Sequence, residues 1–193
     1  MVLSIEELSV HLRPVSEEQD ANAAVALLLK LESGRFLVLF VRRVQDSSDP
    51  WSGQIALPGG KRESEDKDLK ETVIRETLEE TKINLLDNCR FLGVMSTFQS
   101  KPRPEIKVLP FVILIRDAPS IRLNQKELKE YFWISLDKLI KNKTVAKLGF
   151  GKVPAFIVGN TIIWGLTYRI VECFINYVGG TTLWTGDQCG ART

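Results

Sequence analysis

The chain has 193 residues, 44% hydrophobic and 26% charged: long enough for one domain with a sizeable core, and balanced like a globular protein. A net charge of +2 at pH 7 argues against a dedicated nucleic-acid-binding surface. No window reaches the ~18 uninterrupted apolar residues of a membrane span; the nearest, residues 156–178, is broken by Asn160, Arg169 and Glu172.

Cys89, Cys173 and Cys189 form no CxxC pair, so neither a zinc site nor a disulfide framework is signalled, and a reducing compartment is expected. The one histidine, His11, is far in sequence from any motif, which leaves acid–base and metal chemistry to carboxylates. The N-terminus lacks the basic and apolar regions of a secretory signal. The last three residues, Ala191-Arg192-Thr193, are not a peroxisomal address, so the expected location is the cytoplasm. With no internal repeat or linker, residues 1–180 read as a single domain and residues 181–193 as a disordered tail.

In chain order, the apolar runs Ala23–Leu31 and Arg35–Arg43 flank Ser33-Gly34 and predict a hairpin. Residues 44–53 are loop by composition, with Asp49-Pro50 as a turn signal. A helix is predicted over Asp66–Thr81, capped by Ser64 or Asp66. The runs Phe91–Met95, Leu109–Ile115 and Tyr131–Ile134 read as strands, the second bounded by Pro110. After a further short strand and turn in 154–164, Trp164, Tyr168, Val171, Ile175 and Val178 recur at helical spacing. The class is mixed α/β, with helices covering a sheet.

The segment "RETLEET" concentrates carboxylates on the predicted central helix. Glu76 and Glu80 are i,i+4 neighbours with Glu79 beside them. A solvated face laced by Arg75–Glu79 and Glu71–Arg75 pairs is the ordinary explanation of such a run. Helical geometry opposes it, because at ~100° per residue Glu76 and Glu80 share a side with Leu69, Val73 and Thr77. Ile74 and Leu78 lie on the far side, so cover on both flanks is expected. Like charges at that spacing repel, more so when dehydrated, and a hard cation such as Mg²⁺ resolves the conflict. Just upstream, "LPGGKR" offers close backbone approach at Gly59 and Gly60, with Lys61-Arg62 positioned to receive phosphate.

Together these features resemble the Nudix hydrolases, whose box reads G-x5-E-x7-R-E-U-x-E-E-x-G-U with U a bulky aliphatic residue. Here Arg75-Glu76-Thr77-Leu78-Glu79-Glu80-Thr81-Lys82-Ile83 matches its second half and Gly59-Gly60 opens the first, so the box runs over about 59–83. Three departures stand out. Asp66 takes the place of the first glutamate, with one residue more before Arg75; Thr77 replaces an aliphatic residue; and Lys82 replaces the glycine that supplies a left-handed turn. The longer gap is similar to the coenzyme A pyrophosphatase-like subgroup, "PGGKRDxxDxDxxxTAxRExxEE", which the chain matches at Asp66, Asp68 and Thr72. The subgroup's upstream motif, L-L-T-x-R-S-x4-R-x3-G-x3-F-P-G-G, retains Arg42 and Gly53 here, but Asp49 stands at its second arginine and Leu57 at its phenylalanine.

The resemblance implies an α/β/α sandwich with a central mixed sheet and Mg²⁺- or Mn²⁺-dependent hydrolysis of a diphosphate in a small nucleotide substrate. Glu76 and Glu80 are then the principal metal ligands with Glu79 in support, and Arg75 orients the glutamates. Arg42, Gly59, Gly60 and Lys61 bind substrate phosphate, as the basic loop Lys101, Arg103 and Lys107 also can. Glu76, Glu80, Glu127 and Glu130 remain open as general base. Trp51 either stacks on a base or packs in its loop. Coenzyme A or acyl-coenzyme A is the implied substrate; Asp49 favours ADP-ribose, a dinucleoside polyphosphate or an oxidised nucleotide. A homodimer is the family expectation.

Overall fold

The structure, a computed structural model, describes residues 9, 12–16, 20–46, 51–117 and 119–178. His11, Asp49 and the expected tail 181–193 lie outside them.

Strands β1 (Ala23–Glu32) and β2 (Arg35–Arg43) form the predicted hairpin, turning through Ser33 and Gly34, both at positive φ as a tight primed turn requires. The two strands pair only near the turn, over Leu29–Glu32 and Arg35–Val38, and then diverge. Into the fork run β3 (Ile55–Ala56), paired with β2, and β4 (Gly59–Lys61), paired with the start of β1. Between them the Pro58 carbonyl accepts the Ala26 N–H at 2.8 Å. This wedge sets the glycine pair at the mouth of the fork.

The other edge of β1 runs parallel to β7 (Lys107–Ile115), which also pairs with β5 (Cys89–Val94) and β6 (Phe98–Gln99). Strand β8 (Leu128–Ser135) completes the eight-stranded mixed sheet along β2. Pro110 lies inside β7, not at its boundary. It falls where the outer edge of β7 passes from β5 to β6; Met95, just past the end of β5, donates its N–H to the Pro110 carbonyl at 2.9 Å, and only the return bond is missing.

Alternation along β1 divides the core between the two faces of the sheet. Ala24, Ala26 and Leu28 face the helix α1 (Leu69–Thr81), packing with Leu69, Val73 and Phe111. Leu27 and Leu29 face the opposite side, packing with Phe156, Ile163, Tyr168 and Phe174. That layer comprises α2 (Leu136–Lys141), α3 (Gly165–Val178) and a three-stranded antiparallel sheet of β9 (Lys143–Leu148), β10 (Gly151–Val158) and β11 (Thr161–Trp164). Helices on both faces of a mixed sheet give the expected α/β/α arrangement. Cys89 is a free thiol, whereas Cys173 is disulfide-bonded, which the cysteine spacing did not signal. Among the described residues no helix is long and apolar enough to cross a membrane.

Candidate active site

Helix α1 begins later than the sequence suggests because Asp68, not Ser64 or Asp66, caps it. The Asp68 carboxylate accepts the Glu71 N–H at 2.8 Å, and the Glu71 carboxylate reaches back to the Lys67 N–H at 2.8 Å. At the other end Lys82 adopts the left-handed conformation (φ 60°) that a glycine would take without steric cost, its N–H bonded to the Leu78 carbonyl. Cover of the helix is uneven: Leu69, Val73, Thr77 and Glu80 are buried and Ile74 is partly buried against the same core, while Leu78 is 40% exposed. Thr77, where the family has an aliphatic residue, buries a hydroxyl with no hydrogen-bond partner among the described residues. An alkyl side chain would not carry that cost.

Freed from capping, Asp66 holds Arg75. The guanidinium donates to both Asp66 oxygens, Nε to Oδ1 at 3.0 Å and Nη2 to Oδ2 at 2.9 Å. The Glu63 N–H and the Thr72 hydroxyl each donate to Asp66 Oδ2 at 2.9 Å. Arg75 also donates to the Lys61 carbonyl at 3.1 Å and to Glu76 Oε1 at 3.1 Å, with Glu63 and Glu79 each 3.6 Å away. Asp66 is 6% exposed, and its bond to Arg75 holds the carboxyl far below the usual range. The arginine thus locks the glycine strand, the turn after it and the helix together. Glu71 pairs with Lys67, not with Arg75.

Glu80 is 3% exposed and accepts the Gly59 N–H at 2.9 Å. Burial pushes its carboxyl up to about 8, with the charges of Glu76 and Glu127 adding to the effect and the Gly59 bond and Arg43 opposing it. Burial likewise raises Glu76, against the pull of Arg75. Glu79 is different: its side chain is 56% exposed and turned toward Arg75. Among the described residues no three acidic, histidine or cysteine side chains form a ready-made metal shell.

The two glycines of the turn are required for different reasons. A Cβ on Gly59 (φ 142°) would meet the Ala24 carbonyl oxygen at 2.2 Å, whereas one on Gly60 would meet the Glu76 carboxylate at 2.4 Å. Gly59 therefore serves the fold and Gly60 the site. Gly60→Ala is expected to fold with a thermal midpoint within a few degrees of wild type yet to lose about 10²-fold in turnover, since the displaced atoms are those of Glu76. Gly59→Ala is expected to destabilise by several kcal/mol, as backbone opposes it. Thermal melts beside initial rates separate the two.

The other candidates are placed less evenly. Arg42, on β2, is ion-paired with Glu130 across the β2–β8 ladder and lies over the Phe132 ring. Its neighbour Arg43, beyond an irregularity in that ladder, is the arginine whose charge acts on Glu80. Counted back from Pro58, the spacing of the upstream motif falls on Arg43 as well, a signal in the sequence that reading Arg42 missed. Lys61 Nζ has no ion-pair partner among the described residues, and its backbone serves Arg75. Glu127 is exposed and held by the Asn124 amide at 2.7 Å, and its charge reaches both Glu76 and Glu80. The Asn124 N–H meanwhile bonds the Glu80 carbonyl at 2.8 Å, fixing this loop to the end of α1. Among the basic residues of the later loop, Lys107 is paired with Asp20, and Arg103 lies 5.5 Å over the ring of half-buried Trp51.

Residues 20–152 match the model of the NUDIX domain. The chain is 30% identical over 132 residues to a peroxisomal coenzyme A diphosphatase of Caenorhabditis elegans, covering 67% of this chain and 55% of that protein. It is 28% identical over 159 residues to a mitochondrial coenzyme A diphosphatase of Mus musculus, covering 79% and 75%. It spans only 33% of a Schizosaccharomyces pombe protein to which it is 35% identical over 108 residues, 53% of this chain. A solved MutT/nudix family protein from Enterococcus faecalis shares the fold, with a TM-score of 0.54 at 18% identity, over 86% of this chain and 62% of that one. With the family match spanning most of the chain and the glutamate helix locked to a glycine strand, the protein belongs to the NUDIX domain family.

Proposed function

We propose that the protein is a divalent-metal-dependent pyrophosphohydrolase that cleaves coenzyme A or acyl-coenzyme A to 3′,5′-ADP and a 4′-phosphopantetheine species. The arrangement of Glu76 and Glu80 carries this reading: two poorly solvated carboxylates, Glu76 adding to the cost of ionising Glu80, against a strand whose Gly60 admits no Cβ. Such donors fit Mg²⁺ or Mn²⁺, hard cations that take a few carboxylates and leave positions for water and phosphate oxygens. Glu76 and Glu80 would hold the ion, with Glu79 in support. When bound, it supplies Lewis acidity toward the diphosphate oxygens.

The chain's own groups do the rest. Gly60 lets the diphosphate approach the backbone, Gly59 holds the Glu80 carboxylate through its N–H, and Lys61, Arg42 and Arg43 supply positive charge around the site. Arg75 orients Glu76 through its anchored guanidinium. Glu127 accepts the proton of the water that attacks phosphorus in line, and the other phosphate departs. Most of the acceleration is then positioning and charge stabilisation.

The substrate rests on the longer gap before Arg75 and on the similarity to proteins named as coenzyme A diphosphatases. A second reading, hydrolysis of another nucleoside diphosphate derivative such as ADP-ribose, is favoured by Asp49, an acid at a basic position of the motif. Initial rates with Mg²⁺ and with Mn²⁺ decide between them. Release of 3′,5′-ADP from coenzyme A well above the rate of ADP-ribose cleavage supports the first; equal or faster cleavage of ADP-ribose overturns it. A single domain over 1–180 and a cytoplasmic location belong to the same proposal. A core shared by both sheets supports the former; the relatives are named for peroxisomes and mitochondria.

A further inference from the structure

The loop of residues 100–106, between β6 and β7, is held closed by its own backbone. Ser100 N–H donates to the Ile106 carbonyl at 2.9 Å, Ile106 N–H to the Arg103 carbonyl at 2.9 Å, and the Gln99 amide to the Pro104 carbonyl at 2.7 Å. Asn22 fastens this loop to the glycine strand. Its side chain bonds the Glu105 carbonyl at 2.7 Å and the Lys107 N–H at 2.9 Å, while its own carbonyl accepts the Arg62 N–H at 3.0 Å. Trp51 packs on the cluster of Ala23, Ile106 and Val108, as does Val25, and Ala23 and Val25 are the β1 partners of Lys61 and Gly59. The indole and the Arg103 guanidinium over it therefore adjoin the strand that lines the diphosphate turn.

Charge completes the picture. Lys107 is neutralised by Asp20, and Glu105 is the loop's one acid, exposed. Lys101 and Arg103 have no ion-pair partner among the described residues. Two cations on a stiff loop, beside but separate from the diphosphate turn, suit an additional dianionic group, and a guanidinium held over a ring is pre-organised for bidentate contact with one.

We propose that Lys101 and Arg103 form a subsite for a phosphate monoester that the substrate carries in addition to its diphosphate, with Trp51 as the positioning residue for Arg103. This rests on the coenzyme A reading, in which the monoester is the 3′-phosphate of the adenosine half. The same pair would discriminate coenzyme A from its 3′-dephospho form and from ADP-ribose.

The test compares kcat/KM for coenzyme A and 3′-dephospho-coenzyme A in wild type, Lys101→Ala, Arg103→Ala and Arg103→Lys, beside calorimetric binding of 3′,5′-ADP and of AMP. Wild type should prefer the 3′-phosphorylated member of each pair. Arg103→Ala should lower that preference about ten- to hundredfold, as loss of a charge-assisted contact does, with Arg103→Lys retaining part of it. Trp51→Leu should lower the preference severalfold and Trp51→Phe, which keeps a ring face, should restore it. A preference absent in wild type, or unmoved in both alanine variants, overturns the subsite and leaves the hydrolase reading standing. If neither coenzyme is cleaved but 3′,5′-ADP still binds more tightly than AMP through Arg103, the subsite stands and the coenzyme A reading falls.

Discussion

Glu80→Gln is expected to remove nearly all turnover, about 10²–10³-fold or more, while making the metal-free protein more stable at alkaline pH. Both effects come from its surroundings. The carboxylate is 3% exposed and accepts a hydrogen bond from a backbone donor, the Gly59 N–H. Glutamine keeps an oxygen for that bond but cannot ionise, so it removes the ligand charge without removing the contact. Burial raises the folded-state value to about 8, above the unfolded value of about 4.3. The stability tied to this group is therefore complete below about pH 4.3 and is lost as pH rises through about 8. In chelator at pH 8–9 the variant should exceed wild type by about 1–3 kcal/mol. Denaturant melts across pH, with and without Mg²⁺, check this. Mg²⁺ should raise the wild-type midpoint and not that of the variant. An unaltered rate would remove Glu80 from the metal site, and an unaltered alkaline melt would show that its carboxylate is well hydrated.

What the sequence revealed and concealed follows from the range of the interactions. Periodicity is local, so the hairpin and the C-terminal helix could be read directly, as could the burial of Glu80 beside Val73 and Thr77. The cap could not. Ser64, Asp66 and Asp68 are all competent N-cap residues, and the choice is decided at a distance by Arg75, which claims Asp66 from nine positions along the chain. Cover of the Ile74–Leu78 flank depends on what packs there, and it is partial: Ile74 lies against the core while Leu78 stays 40% exposed. Pro110 reads as a boundary because it lacks an N–H, and that β7 runs on through it, where its outer edge passes from β5 to β6, is a tertiary fact. The small sheet of β9–β11 was seen only in part, since the exposed, lysine-bearing β9 shows little apolar run. The distinct duties of Gly59 and Gly60 needed the fork of β1 and β2 to be in place.

Asp66→Asn should show that the subgroup's departure from the general box is structural support for the catalytic helix. Asp66 accepts both bonds of the Arg75 fork and one each from Thr72 and the Glu63 backbone, at 2.9–3.0 Å. Asparagine presents one oxygen and an amide that faces a guanidinium, so about 3 kcal/mol of stability should be lost near neutral pH. Because the folded-state value of Asp66 is depressed, its contribution is present above the unfolded value of about 3.9 and fades as pH falls below it. The gap between wild type and variant should accordingly narrow on acidification in a series of urea melts. Turnover should also fall, about 10-fold or more, although Asp66 touches no substrate in this reading. Arg75 released from Asp66 has Glu63, Glu76 and Glu79 within 3.6 Å and would settle on them, drawing Glu76 from the glycine strand. A variant that kept its rate and its melting profile at neutral pH would mean that Glu63 and the Lys61 carbonyl anchor Arg75 unaided.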